Sequence, residues 1–452
     1  MATTISTGTR RRGLALTLLL TSQLMLMLDV TVMNVALPRI RTDLGFSLAG
    51  LSWVMNAYTL VFGGLLLLGG RLGDLFGRRR VFLAGVAVFT AASLAGGLAD
   101  SAGVLLAARI LQGIGAAAAG PSTLALITST FTEQRQRVRA LSLFSAMASS
   151  GFAIGLIVGG LLTEWFTWRA VMFINVPFGL VILTLATRHI PEPPRVPARL
   201  DLPGAITATL GVGGLVYGFI RAAEAGWGSP AALASLVGGL VLVAVFLRIE
   251  MRAAQPLLPL RLFGDRNRAA GYASFFLGPL SMMSAFFFLT QFLQGILGFG
   301  ALATGFAFLP MAAGIFGMSR LVPTLLPRLG PKPLAITGTT LMTLGMAWLS
   351  RLAVDDGYVV GVLGPMLLLG VGAGLAFTSL SVVIMGNVPP ADAGAAGGTM
   401  QTMQQLGSAL GLAVVVTVAA GGADLMAGMN AAFLAATCFA ALTVAVSFAF
   451  RR

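Results

Sequence analysis

Long apolar runs alternate with short polar segments along the whole chain. Most runs contain about 20 mainly apolar residues, the length that an α-helix needs to cross the hydrocarbon core of a bilayer. Charged residues, Pro or Gly end each run. The pattern predicts fourteen transmembrane helices, near residues 13–37, 48–69, 81–99, 103–128, 139–163, 169–187, 203–221, 231–248, 269–295, 301–325, 332–351, 357–385, 394–420 and 427–450.

Composition and charge placement agree with a membrane protein. Apolar residues make up 57% of the chain and charged residues 10%, against about 45–50% and about 25% in soluble domains. The net charge of +14 does not indicate nucleic-acid binding, because the basic residues lie in short clusters between apolar runs. Nearly all of these clusters fall in loops on one side, which the positive-inside rule makes cytoplasmic. We therefore expect a multi-pass protein of the cell membrane with both termini in the cytoplasm and no cleaved signal peptide.

Two long polar connections, 188–202 and 249–268, divide the predicted spans into two blocks of six with two spans between them. The sequence therefore predicts an all-α polytopic fold with three parts. These are an N-terminal six-helix bundle over residues 1–187, a linker with two additional transmembrane helices over 188–268, and a C-terminal six-helix bundle over 269–452.

A weak internal repeat fits this division. The loop 75–80 resembles 328–333, and Gly155 and Gly159 have counterparts in Gly407 and Gly411. Six-helix repeats with a substrate site at their interface are typical of secondary transporters.

The most specific local pattern is the first loop on the basic side, Gly70-Arg71-Leu72-Gly73-Asp74-Leu75-Phe76-Gly77-Arg78-Arg79-Arg80. Glycine permits a tight reversal, and an acid among arginines can form ion pairs with neighbouring helix ends. The pattern resembles the signature loop of the major facilitator superfamily. That resemblance implies a conformational latch on the cytoplasmic side, made by Gly70, Arg71, Gly73, Asp74, Gly77, Arg78 and Arg79.

Three further stretches resemble the fourteen-helix drug:proton antiporters of that superfamily, the multidrug efflux type. They are Leu28–Pro38, Trp165–Gly179, and Val388–Pro390 with the Gly/Gln-rich stretch that follows it. Leu106–Gly115 is similar to the fourth-helix motif of the superfamily as a whole. The resemblance covers essentially the whole chain. It implies the major facilitator fold and export by alternating access, with the proton gradient as the energy source and no bound cofactor.

Asp29 is the only acidic residue well inside an apolar span, and Arg109 is the only basic residue at similar depth. A charge at that depth costs about 3 kcal/mol on insertion scales, which indicates a function. A buried carboxylate can take up a proton, and a nearby cation opposes that uptake. We expect Asp29 and Arg109 to couple proton movement to transport. A static ion pair, or an Asp29 that only caps or packs near the end of its helix, remains an alternative.

Small residues recur in the fifth predicted span, at Gly151, Gly155, Gly159 and Gly160. Such spacing lets two membrane helices approach closely, which predicts a packing motif. In the antiporter motif that this stretch resembles, a Pro usually follows the central Gly, whereas this chain has Leu156. The departure removes the expected kink and leaves the direction of transport open.

Candidate substrate-binding residues are the polar, aromatic and thioether side chains inside the spans. Pockets for drug-like ligands are mostly apolar with few polar groups, and methionine surfaces adapt to varied ligands. The sequence does not show which helix faces turn inward, so core packing or lipid contact is the alternative for each aromatic residue. The candidates are Asn34, Trp53, Asn56, Tyr58, Gln112, Met282, Phe287, Gln291, Gln294, Gln401, Gln404 and Gln405.

Several kinds of chemistry are excluded. The chain has no Gly-rich phosphate-binding loop and only one lysine, Lys332, which excludes ATP-driven transport by this polypeptide. Its one histidine, His189, and one cysteine, Cys438, exclude a catalytic triad, a His/Cys metal site and an intramolecular disulfide. We expect Cys438 to be a small core residue and the protein not to be an enzyme.

Two transport functions stay open. The first is proton-coupled secondary active export of amphipathic, drug-like small molecules, cationic ones included, by a monomer in the lipid bilayer. The second is export or import of one specific metabolite or siderophore within the same superfamily. A non-transporting sensor or lipid-modifying enzyme is a third class, but the sequence contains no sensor or catalytic motif that supports it.

Overall fold

The computed structural model describes residues 2–195, 200–253, 256–386, 388 and 392–450, and the side chains of residues 2–11, 145, 148 and 149 stand outside this description. Regular structure in these residues is entirely helical. The first part contains α1 Ala2–Leu44, α2 Leu48–Phe76, α3 Arg78–Gly97, α4 Ala102–Thr130, α5 Gln134–Trp165, α6 Trp168–Phe173 and α7 Asn175–His189. Two helices follow, α8 Leu202–Ala225 and α9 Pro230–Glu250. The last part contains α10 Arg266–Gln291, α11 Ala301–Ala307, α12 Leu309–Leu329, α13 Pro331–Leu349, α14 Gly364–Met385, α15 Ala393–Ala420 and α16 Leu425–Phe448.

Twelve helical segments in the described part of the chain are long and apolar enough to cross a membrane. They coincide with twelve of the spans that the hydrophobic pattern predicts. Helices α5 and α13 occupy the positions of the other two predicted spans. The protein is therefore an all-helical, multi-pass membrane protein.

Two spans that the sequence predicts as continuous are broken, and that prediction is wrong in detail. The sixth span consists of α6 and α7 separated at Ile174, and the tenth consists of α11 and α12 separated at Phe308. Pro177 and Pro310 lie in the first turn of the second helix in each pair. Proline cannot donate the backbone hydrogen bond that would join the two helices, whereas the first turn of a new helix tolerates it.

The turns of the predicted internal repeat have similar backbone geometry. Gly77 separates α2 from α3 with φ of 106°, and Gly330 separates α12 from α13 with φ of 75°. Residues with a side chain rarely adopt such positive φ values. Both turns therefore depend on glycine, and they lie at equivalent positions of the two six-span blocks.

Close helix crossings repeat in the same way. A Cβ at Gly85 of α3 would lie 2.6 Å from the carbonyl oxygen of Gly115 of α4, and a Cβ at Gly338 of α13 would lie 2.6 Å from that of Gly372 of α14. In a bilayer the hydrophobic effect contributes little between helices, so close van der Waals packing at small residues drives association. The two crossings therefore stabilise the two blocks by the same means.

Helices α1–α7 are called the N bundle below, and helices α10–α16 the C bundle. The bundles meet where α1 packs on α10, α2 on α15, and α5 on α11 and α12. Helix α8 packs on α2 and α15, whereas α9 packs on α8. The end of the molecule that carries the α2–α3 turn is called the basic end, and the opposite end the remote end.

The expectation that Cys438 lies in the core is wrong, because its side chain is exposed. Buried residues of α16 recur at helical spacing, with Met429, Ala432, Ala436 and Ala440 on the face that contacts the C bundle. Cys438 lies between these positions and therefore faces outward.

Candidate functional site

Asp29 of α1 and Arg109 of α4 meet inside the N bundle. Nη1 of Arg109 lies 2.5 Å from Oδ2 of Asp29, and neither side chain is exposed. Both helices are otherwise mainly apolar at this depth, so each charge has few other ways to offset its desolvation. The structure thus brings together the two charged residues that the sequence singles out.

Two amide side chains complete the surroundings of the Asp29 carboxylate. Gln112 Nε2 and Asn175 Nδ2 each donate to Oδ1 of Asp29 at 2.9 Å. Gln112 also accepts from Nη1 of Arg109 at 2.8 Å and donates to Ser93 of α3 at 2.8 Å. Arg109, Gln112 and Asn175 thus all donate to Asp29, and both of its carboxylate oxygens act as acceptors.

Arg109 makes further contacts with α2. Its Nε donates to the carbonyl oxygen of Val54 at 2.9 Å, and its guanidinium carbon lies 4.5 Å from the centre of the Tyr58 ring. Nη2 of Arg109 has no hydrogen-bond partner among the described residues. The guanidinium is therefore held by α1, α2 and α4 together, with a cation–π contact on one face and one donor left free.

The break between α6 and α7 places Asn175 against Asp29. Asn175 is the first residue of α7 and is fully buried. At the other end of this segment, Trp168 Nε1 and Arg169 Nη1 donate to Asp43 of α1 at 2.7 and 2.6 Å. The α6–α7 segment is therefore attached to α1 at two acidic residues.

Sequence reasoning did not select Asn175 or Ser93 as functional residues. The signal that could have found Asn175 is its place before Pro177, where a polar side chain starts a new helix inside an apolar segment. No comparable signal marks Ser93, because a single hydroxyl in a membrane helix usually bonds to its own backbone.

The predicted latch residues connect three helices at the basic end. Asp74 accepts from Nη2 of Arg78 at 2.9 Å. Nη1 of Arg79 donates to the carbonyl oxygen of Ile190 at 3.0 Å, and the backbone N–H of Arg79 donates to Oε1 of Glu192 at 3.0 Å. These contacts tie the α2–α3 turn to the end of α7.

The glycines of this loop allow close approach to α4 and to Glu192. A Cβ at Gly73 would lie 3.3 Å from Oγ of Ser122, and a Cβ at Gly77 would lie 2.9 Å from Oε1 of Glu192. The remaining latch candidates, Gly70 and Arg71, lie half-buried in the last two turns of α2.

The glycines of the fifth span lie between α1 and α11. Gly151, Gly155 and Gly159 face Met27, Thr31 and Val32 of α1, and Gly160 faces Ala301 of α11. Leu156 is fully buried, and its carbonyl oxygen adjoins Gly305 of α11. Helix α5 therefore packs against both bundles without the proline kink.

Hydrogen bonds join the N bundle to the C bundle in the half of the molecule nearer the remote end. Asn34 Nδ2 donates to the carbonyl oxygen of Phe286 at 3.1 Å and to Thr290 Oγ1 at 2.8 Å. Gln294 Nε2 donates to the carbonyl oxygen of Val35 at 2.9 Å. The backbone N–H of Leu302 donates to Oε2 of Glu164 at 2.8 Å. These hydrogen bonds hold the two bundles together near the remote end.

Three substrate candidates keep a buried polar atom without a hydrogen-bond partner among the described residues. They are Oδ1 of Asn34, Nδ2 of Asn56 and Nε2 of Gln291. Asn56 lies two turns from Gly63 on α2, and Gly63 adjoins Gln405 of α15, so helical periodicity directs both toward the C bundle. Unpaired buried polar groups are costly, and a bound substrate could satisfy them.

The structure distributes the other substrate candidates over several places. Tyr58 and Gln112 belong to the Asp29 network and not to a separate substrate surface. Phe287 is fully buried in edge-to-face contact with Phe288, at 5.2 Å between ring centres. Half-buried candidates remain in α2, α10 and α15, where they are Trp53, Met282, Gln401, Gln404 and Gln405.

A multi-pass helical protein in two bundles, with a buried ion pair and unpaired polar groups at the bundle interface, has the architecture of a secondary transporter. The sequence profile of the Major Facilitator Superfamily matches residues 19–412. The chain belongs to this superfamily, as the Gly70–Arg80 motif indicates.

Named relatives support the family assignment. The chain is 44% identical over 413 residues to the cephamycin export protein CmcT of Amycolatopsis lactamdurans, covering 90% of this chain and 85% of that protein. It is 42% identical over 416 residues to the puromycin resistance protein pur8 of Streptomyces alboniger, covering 91% and 82%. The solved structure of the nucleoside transporter NupG superposes with a TM-score of 0.66 at 14% identity, covering 97% of this chain and 100% of that one. That structural likeness confirms the fold.

Proposed function

We propose that this protein is a proton-coupled secondary active exporter of amphipathic, drug-like small molecules in the cell membrane. The observation that carries the proposal is the buried Asp29–Arg109 pair with its amide partners. The similarity to a cephamycin exporter and a puromycin resistance protein supports small-molecule export and a role in antibiotic resistance.

Proton binding at Asp29 would change its contacts. An ionised carboxylate accepts hydrogen bonds at both oxygens, whereas a protonated one carries a hydrogen on one of them and accepts fewer. Uptake of a proton would therefore release at least one of Arg109, Gln112 and Asn175. These residues lie on α4 and α7, so protonation alters how α1 packs on both helices.

Alternating access follows from two states that differ in these contacts. The conformation with a closed remote end would admit substrate from the cytoplasm at the basic end. Substrate groups would bond to the unpaired atoms of Asn34, Asn56 and Gln291 between the bundles. Opening of the remote end would then release the substrate outside and admit a proton to Asp29.

Two candidates exist for the range of substrates. The first is export of many unrelated drug-like compounds, and the second is export of one defined metabolite. Half-buried methionine and glutamine side chains near the bundle interface suit varied ligands. Two relatives carry the names of single antibiotics, which supports the second candidate, an exporter of one defined metabolite, and another is named for multidrug resistance, which supports the first. Competition among unrelated compounds for export would favour the first candidate.

The rest of the proposal concerns the whole molecule. We take α5 and α13 as spans in addition to the twelve, which gives fourteen, with both termini in the cytoplasm. The N bundle and C bundle then act as the two halves of a monomer in the lipid bilayer. Transport needs no cofactor beyond the proton gradient, and no enzymatic reaction is proposed.

The decisive experiment measures coupling in proteoliposomes of verified orientation. When protons flow into the compartment that corresponds to the cytoplasm, substrate should move out of that compartment. Puromycin or a fluorescent dye serves as the substrate, and it should move against its own concentration gradient. Movement of substrate in the same direction as protons would replace export by uptake. No movement of any tested compound, with the protein correctly folded, would leave only the fold assignment standing.

A further inference from the structure

A groove of about 680 Å³ lies at the basic end, between the start of α8 and the end of α9. It does not belong to the site between the bundles, because α9 packs on α8 at the outside of the molecule. The walls combine apolar and charged side chains, among them Asp201, Val241, Ala244, Val245, Arg248 and Arg252.

The side chains of α9 in this groove form one stripe at helical spacing. Val241, Val245 and Arg248 follow each other at intervals of three or four residues, so they share a face of α9. Arg252 lies in the turn directly after the helix, which ends at Glu250. The stripe passes from apolar to basic toward the helix end. The apolar part of the groove therefore lies at the level of the hydrocarbon core of the membrane, and the basic part at the level of the headgroups.

Most of α9 faces away from the protein. Among its residues only Ala232, Gly239 and Glu250 are buried. Both groove arginines are exposed, and in the described part of the chain no salt bridge involves either. Two free guanidinium groups one helical turn apart are well placed to bind one phosphate.

Asp201 adds an acceptor to the same groove. Its Oδ1 accepts from the backbone N–H of Gly204 at 2.8 Å and so caps α8. Its Oδ2 is buried and has no partner among the described residues. A ligand headgroup that carries a hydroxyl beside its phosphate could donate to this oxygen.

We propose that the groove binds one anionic phospholipid with a hydroxyl-bearing headgroup, of which phosphatidylglycerol is the simplest. The phosphate lies between Arg248 and Arg252, and a headgroup hydroxyl donates to Oδ2 of Asp201. One acyl chain follows the apolar wall at Val241, Ala244 and Val245. Basic pockets between membrane helices near the cytoplasmic surface bind anionic headgroups by the same physics.

Native mass spectrometry of the full chain, titrated with phosphatidylglycerol or phosphatidylcholine, tests the proposal. The wild-type protein should bind phosphatidylglycerol more tightly than phosphatidylcholine. The Arg248→Gln/Arg252→Gln variant should lose that preference, with affinity falling about fivefold per arginine. A matched control is Arg135→Gln/Arg139→Gln, because these two arginines are also exposed, four residues apart and at the basic end. The control should keep the preference.

A second pair of variants changes the shape of the protein surface and leaves its charge unchanged. Ala244→Trp fills the groove and should lower phosphatidylglycerol binding, whereas Leu240→Trp, on an exposed position outside the groove, should not. If the arginine variant fails to fold, the comparison of Ala244→Trp with Leu240→Trp still tests the proposal. Equal lipid binding by Ala244→Trp and Leu240→Trp would overturn the proposal. So would equally tight binding of glycerol phosphate, which lacks acyl chains, since the site would then be a simple anion site.

Discussion

Asn175 and Gln112 donate to the same oxygen of Asp29, Oδ1, each at 2.9 Å. Asn175 starts α7, and Gln112 lies on α4. The carboxylate of α1 therefore joins two other helices through one atom. Any change in the charge of Asp29 would alter both connections at once, which is the basis of the proposed coupling.

Asp29→Asn should abolish proton-driven transport while substrate exchange without a gradient persists. The amide has nearly the size of the carboxylate, so packing survives, but it does not bind a proton at physiological pH. Transport and counterflow in proteoliposomes measure the two activities. Asp43→Asn is the control, since Asp43 also lies on α1 and binds Arg169, but is half exposed. Full proton-driven transport by Asp29→Asn would refute the coupling role.

Asn175→Ala should slow proton-driven transport in proteoliposomes. It removes one of the hydrogen bonds that hold the Asp29 carboxylate against α7. A hydrogen bond to a charged group is worth about 1.5–3 kcal/mol. Asn430→Ala is the control, because Asn430 also donates its amide, to the carbonyl oxygen of Leu352 at 3.0 Å, far from Asp29 in sequence. An unchanged transport rate in Asn175→Ala would assign Asn175 to packing alone.

Arg109→Ala should strongly destabilise the protein, and Arg109→Lys should give an intermediate defect. Removing one partner of a buried ion pair costs about 3–5 kcal/mol, because a charge stays buried without compensation. Lysine keeps the charge but lacks the planar fork that reaches Val54, Asp29 and Gln112 together. Thermal unfolding in detergent and the transport rate report the two effects. Equal stability of the Ala variant and the wild type would contradict the buried-pair energetics.

Gly77→Ala should slow transport, whereas Gly330→Ala should not. Both residues have positive φ, so each substitution should cost about 1–3 kcal/mol of backbone strain. Only at Gly77 would the new Cβ also displace Glu192 from Arg79, since nothing lies within 4 Å of a Cβ at Gly330. Substrate affinity should stay unchanged in both variants. A similar loss of transport rate in both variants would mean that the α2–α3 loop acts only as a turn and not as a latch.

The apolar runs predict the helices well because each span needs a long apolar stretch, and the structure has a helix at every predicted position. The breaks at Ile174 and Phe308 escape such a prediction, since hydropathy does not register a missing backbone hydrogen bond. Pro177 and Pro310 carry that information. Proline alone does not locate the breaks, because α4 and α10 continue through Pro121 and Pro279.

The Asp29–Arg109 pair is predictable because a charge inside the membrane is rare and needs a partner. The roles of amide residues are harder to predict from sequence. The sequence suggests Gln112 as a substrate-binding residue, whereas in the structure Gln112 bonds to Asp29. Polar spacing alone does not tell which face of a helix meets another helix. Asn175 shows the same limit, because its role depends on a contact across 146 residues of sequence.

The hydrogen bonds that join the two bundles near the remote end and the contacts of the α2–α3 turn at the basic end differ in their response to ionic strength. At the remote end, Asn34, Gln294 and Glu164 bond to uncharged backbone or hydroxyl groups. At the basic end, Asp74 and Glu192 pair with arginines that are partly exposed. Dissolved salt screens exposed ion pairs and has little effect on neutral hydrogen bonds. Rising salt concentration should therefore loosen the contacts of the α2–α3 turn more than the hydrogen bonds between the bundles, and so change the relative stability of conformations that differ in these contacts.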